Sequence, residues 1–157
     1  MHARNIMTTD VVVCHPEQTV ADIAAILNEK TFRMIPVVDS DHKILGAVHT
    51  LSVLSSLVPG YIVEGYLKSI PYAPDIGLLR KHYKELMQRK VSYVMDNKPT
   101  IVHADESVLS VTAALITYDR FEYALVADAD ERLVGVISSS DILRRLAHDP
   151  QEPADDA

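Results

Sequence analysis

The segment GVISSSDILRRL, Gly135 to Leu146, ends a short apolar run in three serines and an aspartate, and helical spacing follows. Hydroxyls donate and accept hydrogen bonds, whereas an ionised carboxylate only accepts. Ser138 and Asp141 therefore bring complementary polar groups to a strand-to-helix junction. An acid is also common in the first turn of a helix for purely local reasons. The chain carries nearly the same phrase earlier. In GAVHTLSVLSSL, Gly46 to Leu57, the apolar frame is kept, but Ser52 stands where Asp141 stands and His49 where Ser138 stands.

Other chemistry-bearing residues are scattered. The seven histidines (His2, His15, His42, His49, His82, His103 and His148) show no HxxxH or HxH spacing, and there is no CxxC pair. A transition-metal site is therefore not expected. Cys14, the one cysteine, lies in an apolar strand pattern, so it reads as inert, and no internal disulfide is possible. No Ser-His-Asp arrangement follows from spacing, so the chain is not expected to be an enzyme.

The 157 residues are 48% hydrophobic, enough for one compact domain or two small ones sharing a core. A net charge of −7 argues against general nucleic-acid binding, which needs clustered Lys and Arg. No basic-then-apolar leader stands at the N-terminus, and no run approaches the ~18 apolar residues of a membrane span. A cytoplasmic protein without a membrane partner is expected.

Internal repetition organises the chain. His15 aligns with His103, Val20 with Val108, Leu27 with Leu115, Val37 with Val126, Asp39 with Asp128, Gly46 with Gly135 and Leu57 with Leu146, and each half opens with a methionine, Met7 or Met95. Thr19 and Ser107 read as helix N-caps. Val20, Ile23, Ala24 and Leu27 then recur at helical spacing, as do Val108, Val111, Thr112 and Leu115. MIPVVD and YALVAD are buried-strand patterns, SDHK and ADER polar turns, and ILGAVH and LVGVIS second strands. A closing helix follows from about Leu51 and about Ser139. One such unit exposes too much apolar surface to stand alone, whereas two can bury it.

The opening methionine, the capped helix, IPVVD, the glycine-led second strand and GVISSSDIL, occurring in this order twice, resemble a tandem pair of CBS domains, a Bateman module of the stand-alone bacterial type. The resemblance implies an α+β fold of two pseudo-symmetric β-α-β-β-α repeats, 1–58 and 89–148, packed sheet to sheet. A helical linker over 59–88 joins them, and the acidic tail 149–157 reads as disordered. It also implies a regulatory module without catalysis or a required cofactor. Its ligand would be AMP, ADP, ATP or S-adenosylmethionine in a cleft between the repeats. Occupancy would be signalled to an unidentified protein partner by a change in conformation or dimer geometry. The alternative is a structural interaction or dimerisation module with a vestigial pocket. A homodimer is expected, through the helices that close each repeat, Leu51–Leu57 and Ile142–Leu146.

In this family frame Asp141 accepts ribose hydroxyls, Ser138 donates to a ribose or phosphate oxygen, and Val136 and Ile137 wall the adenine. The other repeat contributes Gln18, Ile23, Phe32, Arg33, Met34 and Ile35. For Ile23 and Ile35 core packing is a strong competing reading. Gln18 could be solvated, and Arg33 could be a surface charge. Family members that bind phosphate often carry His-Arg before the second strand. Here those positions hold Glu122 and Tyr123 in the second repeat and Arg33-Met34 in the first. One arginine leaves adenosine, AMP or S-adenosylmethionine at least as plausible as ATP. The twin site, with Ser52 and His49 and with Glu106, Glu122 and Tyr123 from the other repeat, reads as degenerate.

In the linker, Pro59-Gly60 breaks the preceding helix, YIVEGYLKSI reads as a short helix, and Pro71 and Pro74 mark a loop. Leu79, Tyr83, Leu86 and Met87 then form an apolar stripe opposite Arg80, Lys81, Lys84, Arg89 and Lys90. That basic face is a solvated surface, a contact for a second copy or an acidic partner, or a lid.

Overall fold

The computed structural model describes residues 1–29, 33–58, 76–118 and 122–148. The expectations for Phe32, for most of the linker (59–75) and for the tail 149–157 lie outside these residues. The chain forms two compact units. One comprises Val12–Lys98, and the other joins Met1–Val11 to the chain from Pro99 onward.

In the first unit, helix α1 (Val20–Asn28) starts where the sequence places it. Thr19 Oγ1 accepts the Asp22 N–H at 3.3 Å, and the Asp22 carboxylate accepts the Thr19 N–H at 2.9 Å. Such a reciprocal cap contributes about 1 kcal/mol. Strands β1 (Met34–Val38) and β2 (Ile44–His49) pair antiparallel, with Met34 opposite His49. Asp39 builds their turn by accepting the N–H groups of Asp41 and Lys43, both at 2.9 Å, and so supplies the turn chemistry that a glycine often gives. Cys14 pairs parallel to β1 on its far edge, and Asp96 pairs with Ala47 on the edge of β2. Helices α2 (Thr50–Ser55), α3 (Ile76–Met87) and α4 (Val91–Val94) complete the unit. Its core holds Val20, Ile23, Ile35, Val37, Val48, Leu86, Val91 and Val94. Of the expected stripe on α3, Leu86 is buried and Met87 packs on the core, but Leu79 and Tyr83 stay 40% and 39% exposed. The guanidinium of Arg89 lies over the Tyr93 ring, 4.8 Å from its centre.

The second unit repeats this plan. Strand β3 (Ile101–His103) runs parallel to β4 (Tyr123–Ala127), and β4 pairs antiparallel with β5 (Leu133–Ser138). Helices α5 (Val108–Tyr118) and α6 (Ser139–His148) pack with the sheet around Val102, Val111, Ala124, Val126, Ile137 and Ile142. Asp128 builds the β4–β5 turn as Asp39 does, accepting from Asp130 and Arg132. Even the entry to the closing helix is duplicated. Thr50 N–H donates to the Arg33 carbonyl at 3.0 Å, and Ser139 N–H to the Glu122 carbonyl at 3.1 Å.

The compact units do not follow the repeat boundaries read from the sequence, because the opening segments are exchanged. Thr8 pairs with Val136 on the free edge of β5, with N···O distances of 2.9 and 3.0 Å. Met7 lies over Gly135, where a Cβ would come within 2.7 Å of its sulfur. A Cβ on Gly46 would meet the Asp96 carbonyl at 2.4 Å and the Met95 sulfur at 3.2 Å. The methionine that opens each repeat thus covers the strand glycine of the other, and each glycine leaves the room for that contact.

Candidate functional site

Strand β5 hands over to α6 at Ser138. Asp141 Oδ2 accepts both the N–H and the hydroxyl of Ser138, each at 2.8 Å, and Asp141 N–H donates to Ser138 Oγ at 3.1 Å. The other oxygen, Oδ1, accepts from Arg144 at 3.2 Å, and the Asp141 side chain is 19% exposed. The hydroxyl that the sequence reading aims at a ligand is thus spent on the carboxylate. The carboxylate offers a ligand one oxygen. Its two lone pairs admit a ligand hydroxyl beside Arg144 or in its place.

That junction opens on a cavity of about 370 Å3 lined by Asn5, Ile6, Thr8, Asp141, Arg144, Arg145 and His148. The volume falls near the low end of small-molecule pockets, ~300–1,000 Å3. The exchanged N-terminal segment forms one wall and α6 the other. His148 Nδ1 donates to the Arg144 carbonyl at 2.7 Å, which fixes the ring. Of these seven residues, only Asp141 is expected from the sequence as a ligand contact. Asp141, Arg145 and His148 stand at helical spacing, which was legible, but the opposing wall comes from the other end of the chain.

The remaining expected site residues are placed as follows. Val136 is 9% exposed, with its backbone paired to Thr8. Ile137, Ile23 and Ile35 are 0%, 1% and 0% exposed, and their side chains pack in the cores of their own units. Met34 is 8% exposed, and Arg33 is exposed just before β1. Gln18 Oε1 accepts the His15 N–H at 2.8 Å, and Glu106 does the same for His103 at 3.0 Å. Both therefore have a local task in the turn before a helix. That bond, with the Ser110 hydroxyl and His103, holds the Glu106 carboxyl below its usual range.

In the first repeat, Ser52 Oγ accepts the His49 N–H at 3.0 Å and donates to the His49 carbonyl at 2.8 Å. The frame of the junction is kept without its charge. His49 is 5% exposed, and burial pushes its imidazole down to about 4, with Asp96 opposing the shift. Glu122 and Tyr123, assigned by sequence to the poorer site, lie within their own unit beside the Ser138–Asp141 junction. Tyr123 is opposite Ser138 in the sheet, and Glu122 Oε2 accepts from Ser139 Oγ at 3.4 Å. Among the described residues no group of three or more His, Cys, Asp or Glu could hold a metal ion. Among the same residues no helix is long and apolar enough to cross a membrane.

Solved structures share this fold. A CBS domain-containing protein of unknown function from Bacillus anthracis superposes with a TM-score of 0.74 at 16% identity, over 94% of this chain and 93% of that one. CBSX2 from Arabidopsis thaliana, solved in complex with AMP, gives 0.68 at 22% identity, over 93% and 96%. The cytosolic domain of the Mg2+ channel MgtE, in complex with ATP, gives 0.65 at 21% identity, over 92% of this chain and 48% of that one. A search of curated protein sequences gives no match. The CBS domain profile matches residues 3–59 and 86–148. With both repeats matched and the fold shared, the chain belongs to the CBS-domain family and carries two copies of the domain.

Proposed function

We propose that the chain is a regulatory module that senses an adenosine-containing ligand. The ribose is held at the Ser138–Asp141 junction, and occupancy is passed on as a change in conformation or dimer geometry. The observation that carries this reading is the division of labour on Asp141. One oxygen is fixed by Ser138, the other carries only the Arg144 contact among the described residues, and Asp141 lines a small-molecule-sized cavity. An ionised carboxylate is well suited to accept sugar hydroxyls. Two proteins of like fold were solved with AMP and with ATP, which favours an adenine nucleotide. The resemblance adds Arg33, Met34 and Gln18 as contributors from the first repeat, whereas Ile23, Ile35 and Ile137 serve the cores. The Ser52–His49 junction, which lacks the carboxylate, is proposed not to bind.

Calorimetric titration with AMP, ATP and S-adenosylmethionine tests this. Binding by wild type that drops at least tenfold in Asp141→Asn supports the assignment. Unchanged affinity in that variant places the ligand elsewhere.

A second reading is an interaction module without a ligand, favoured by large apolar side chains left in solvent. Leu109 and Ile116 on α5 are 79% and 81% exposed, and Leu143 and Leu146 on α6 are 67% and 62% exposed. No binding at millimolar ligand, together with dimerisation abolished by Leu146→Asp in sedimentation, would favour it.

A further inference from the structure

The cavity beside Asp141 is more basic than the sequence suggests. Besides Asp141 its charged lining consists of Arg144 and Arg145, and His148 adds a third nitrogen base. This basic wall stands in a chain whose net charge is −7. We propose that α6 itself reads the phosphate of the ligand, with Arg145 as the principal contact and Arg144 and His148 beside it. The site would then select a nucleoside phosphate over an uncharged nucleoside or a cationic sulfonium. The proposal rests on the reading that Asp141 holds the ribose, and it names the group attached to that ribose.

Four observations support it. Asp141 and Arg145 are one helical turn apart, about 6 Å along the axis, a span comparable to that from the ribose hydroxyls to a 5′-phosphate. A guanidinium presents a planar fork of donors matched to phosphate oxygens. His148 turns Nδ1 toward the Arg144 carbonyl, which leaves Nε2 as the ring nitrogen available to the cavity. On the facing wall, Asn5 Oδ1 accepts the His2 N–H at 2.8 Å, so its amide N–H groups, like the Thr8 hydroxyl, are the donors left for an anion. The C-terminal end of α6 weakly disfavours an anion through the helix dipole, but two guanidinium charges against the single Asp141 carboxylate leave the lining with a net positive charge that outweighs that partial one. Arg144 rests on Asp141 Oδ1 at 3.2 Å, so a ligand that brings a hydroxyl to Asp141 and a phosphate to Arg144 gives both groups new partners. The paucity of cations before the second strand, Arg33 alone, therefore does not limit the number of phosphates.

Titration of wild type and of Arg145→Gln with adenosine, AMP and S-adenosylmethionine tests the proposal. Wild type is expected to bind AMP at least about tenfold more tightly than adenosine, the scale of a charge-assisted contact. Added salt should narrow the margin. Arg145→Gln should remove most of the margin by weakening AMP while leaving adenosine within about twofold, and Arg145→Lys should restore part of it. Equal affinity of wild type for adenosine and AMP overturns the phosphate assignment alone, as does an AMP preference that survives Arg145→Gln. Absence of binding by every adenosyl ligand overturns the ribose reading and this proposal with it.

Discussion

One oxygen of Asp141 holds the backbone N–H and the hydroxyl of Ser138, each at 2.8 Å, while the other carries Arg144 at 3.2 Å. The residue is therefore a helix cap as well as the proposed ligand acceptor, and substitutions should separate the two tasks. Asp141→Ala removes the acceptor for the Ser138 N–H and is expected to cost about 1 kcal/mol of stability. Asp141→Asn keeps a capping oxygen and should cost less. Urea unfolding followed by circular dichroism measures both. No loss of stability in Asp141→Ala would show that the cap contributes nothing at this junction.

Gly46 and Gly135 predict graded costs. A Cβ on Gly46 meets backbone, the Asp96 carbonyl at 2.4 Å, whereas at Gly135 the nearest atoms are Met7 Sδ and Cγ, at 2.7 and 2.9 Å, with the Thr8 carbonyl also at 2.9 Å. A flexible methionine can yield more readily than a paired backbone. Gly46→Ala should destabilise by roughly 2–3 kcal/mol and Gly135→Ala by less, within the ~1–3 kcal/mol of overpacked sites. Denaturant midpoints of the two variants settle the order.

His49 predicts an acid-sensitive stability. Its folded pKa is lowered from 6.5 to about 4, by burial first, with Asp96 pulling the other way. Above pH 6.5 the ring is neutral in both states and the full stability is present. As pH falls from 6.5 towards 4, the unfolded chain takes up a proton that the folded chain refuses. Up to roughly 3 kcal/mol is lost across that window. His103 acts in the opposite sense. Glu131 and Glu106 raise its pKa, so its contribution is present below 6.5 and fades as pH rises through the raised value. Because His103 is exposed, that effect is small. Unfolding free energies at pH 7.5 and 5 should differ less in His49→Asn than in wild type. An unchanged slope would assign the acid sensitivity to other groups.

Cys14 should behave as a core residue. It is 1% exposed, its thiol faces the Pro36 carbonyl at 3.7 Å, and burial pushes its pKa up to about 12. Reaction with a disulfide reagent at pH 8 should be negligible in the folded protein and should go to completion in denaturant. Rapid labelling under native conditions would contradict the packing of β1 against Cys14.

Local order was legible in the sequence where partners lie close together. The Thr19 cap and the Asp39 and Asp128 turns rest on residues two to four apart, the hairpin strands follow from those turns, and the duplication let each repeat check the other. The exchange of opening segments was not legible, because it depends on contacts such as Met7 with Gly135, which only the tertiary fold brings together. The basic wall was missed for a related reason. Arg145 and His148 are plain on a helical wheel, but a helix face becomes a pocket only when Asn5, Ile6 and Thr8 stand opposite it. Gln18 shows a task that the sequence did not suggest: its side-chain oxygen accepts a backbone N–H three residues away, which leaves its amide N–H groups for any ligand contact.

The central claim is that Asp141 recognises the ribose, and a thermodynamic cycle addresses it most directly. Binding of AMP and of its 2′- and 3′-deoxy analogues should be measured calorimetrically for wild type and Asp141→Asn. The account predicts that at least one deoxy analogue binds wild type about tenfold or more weakly than AMP, and that the difference shrinks to near nothing in Asp141→Asn. A variant that discriminates between AMP and its deoxy analogues as sharply as wild type does would contradict it.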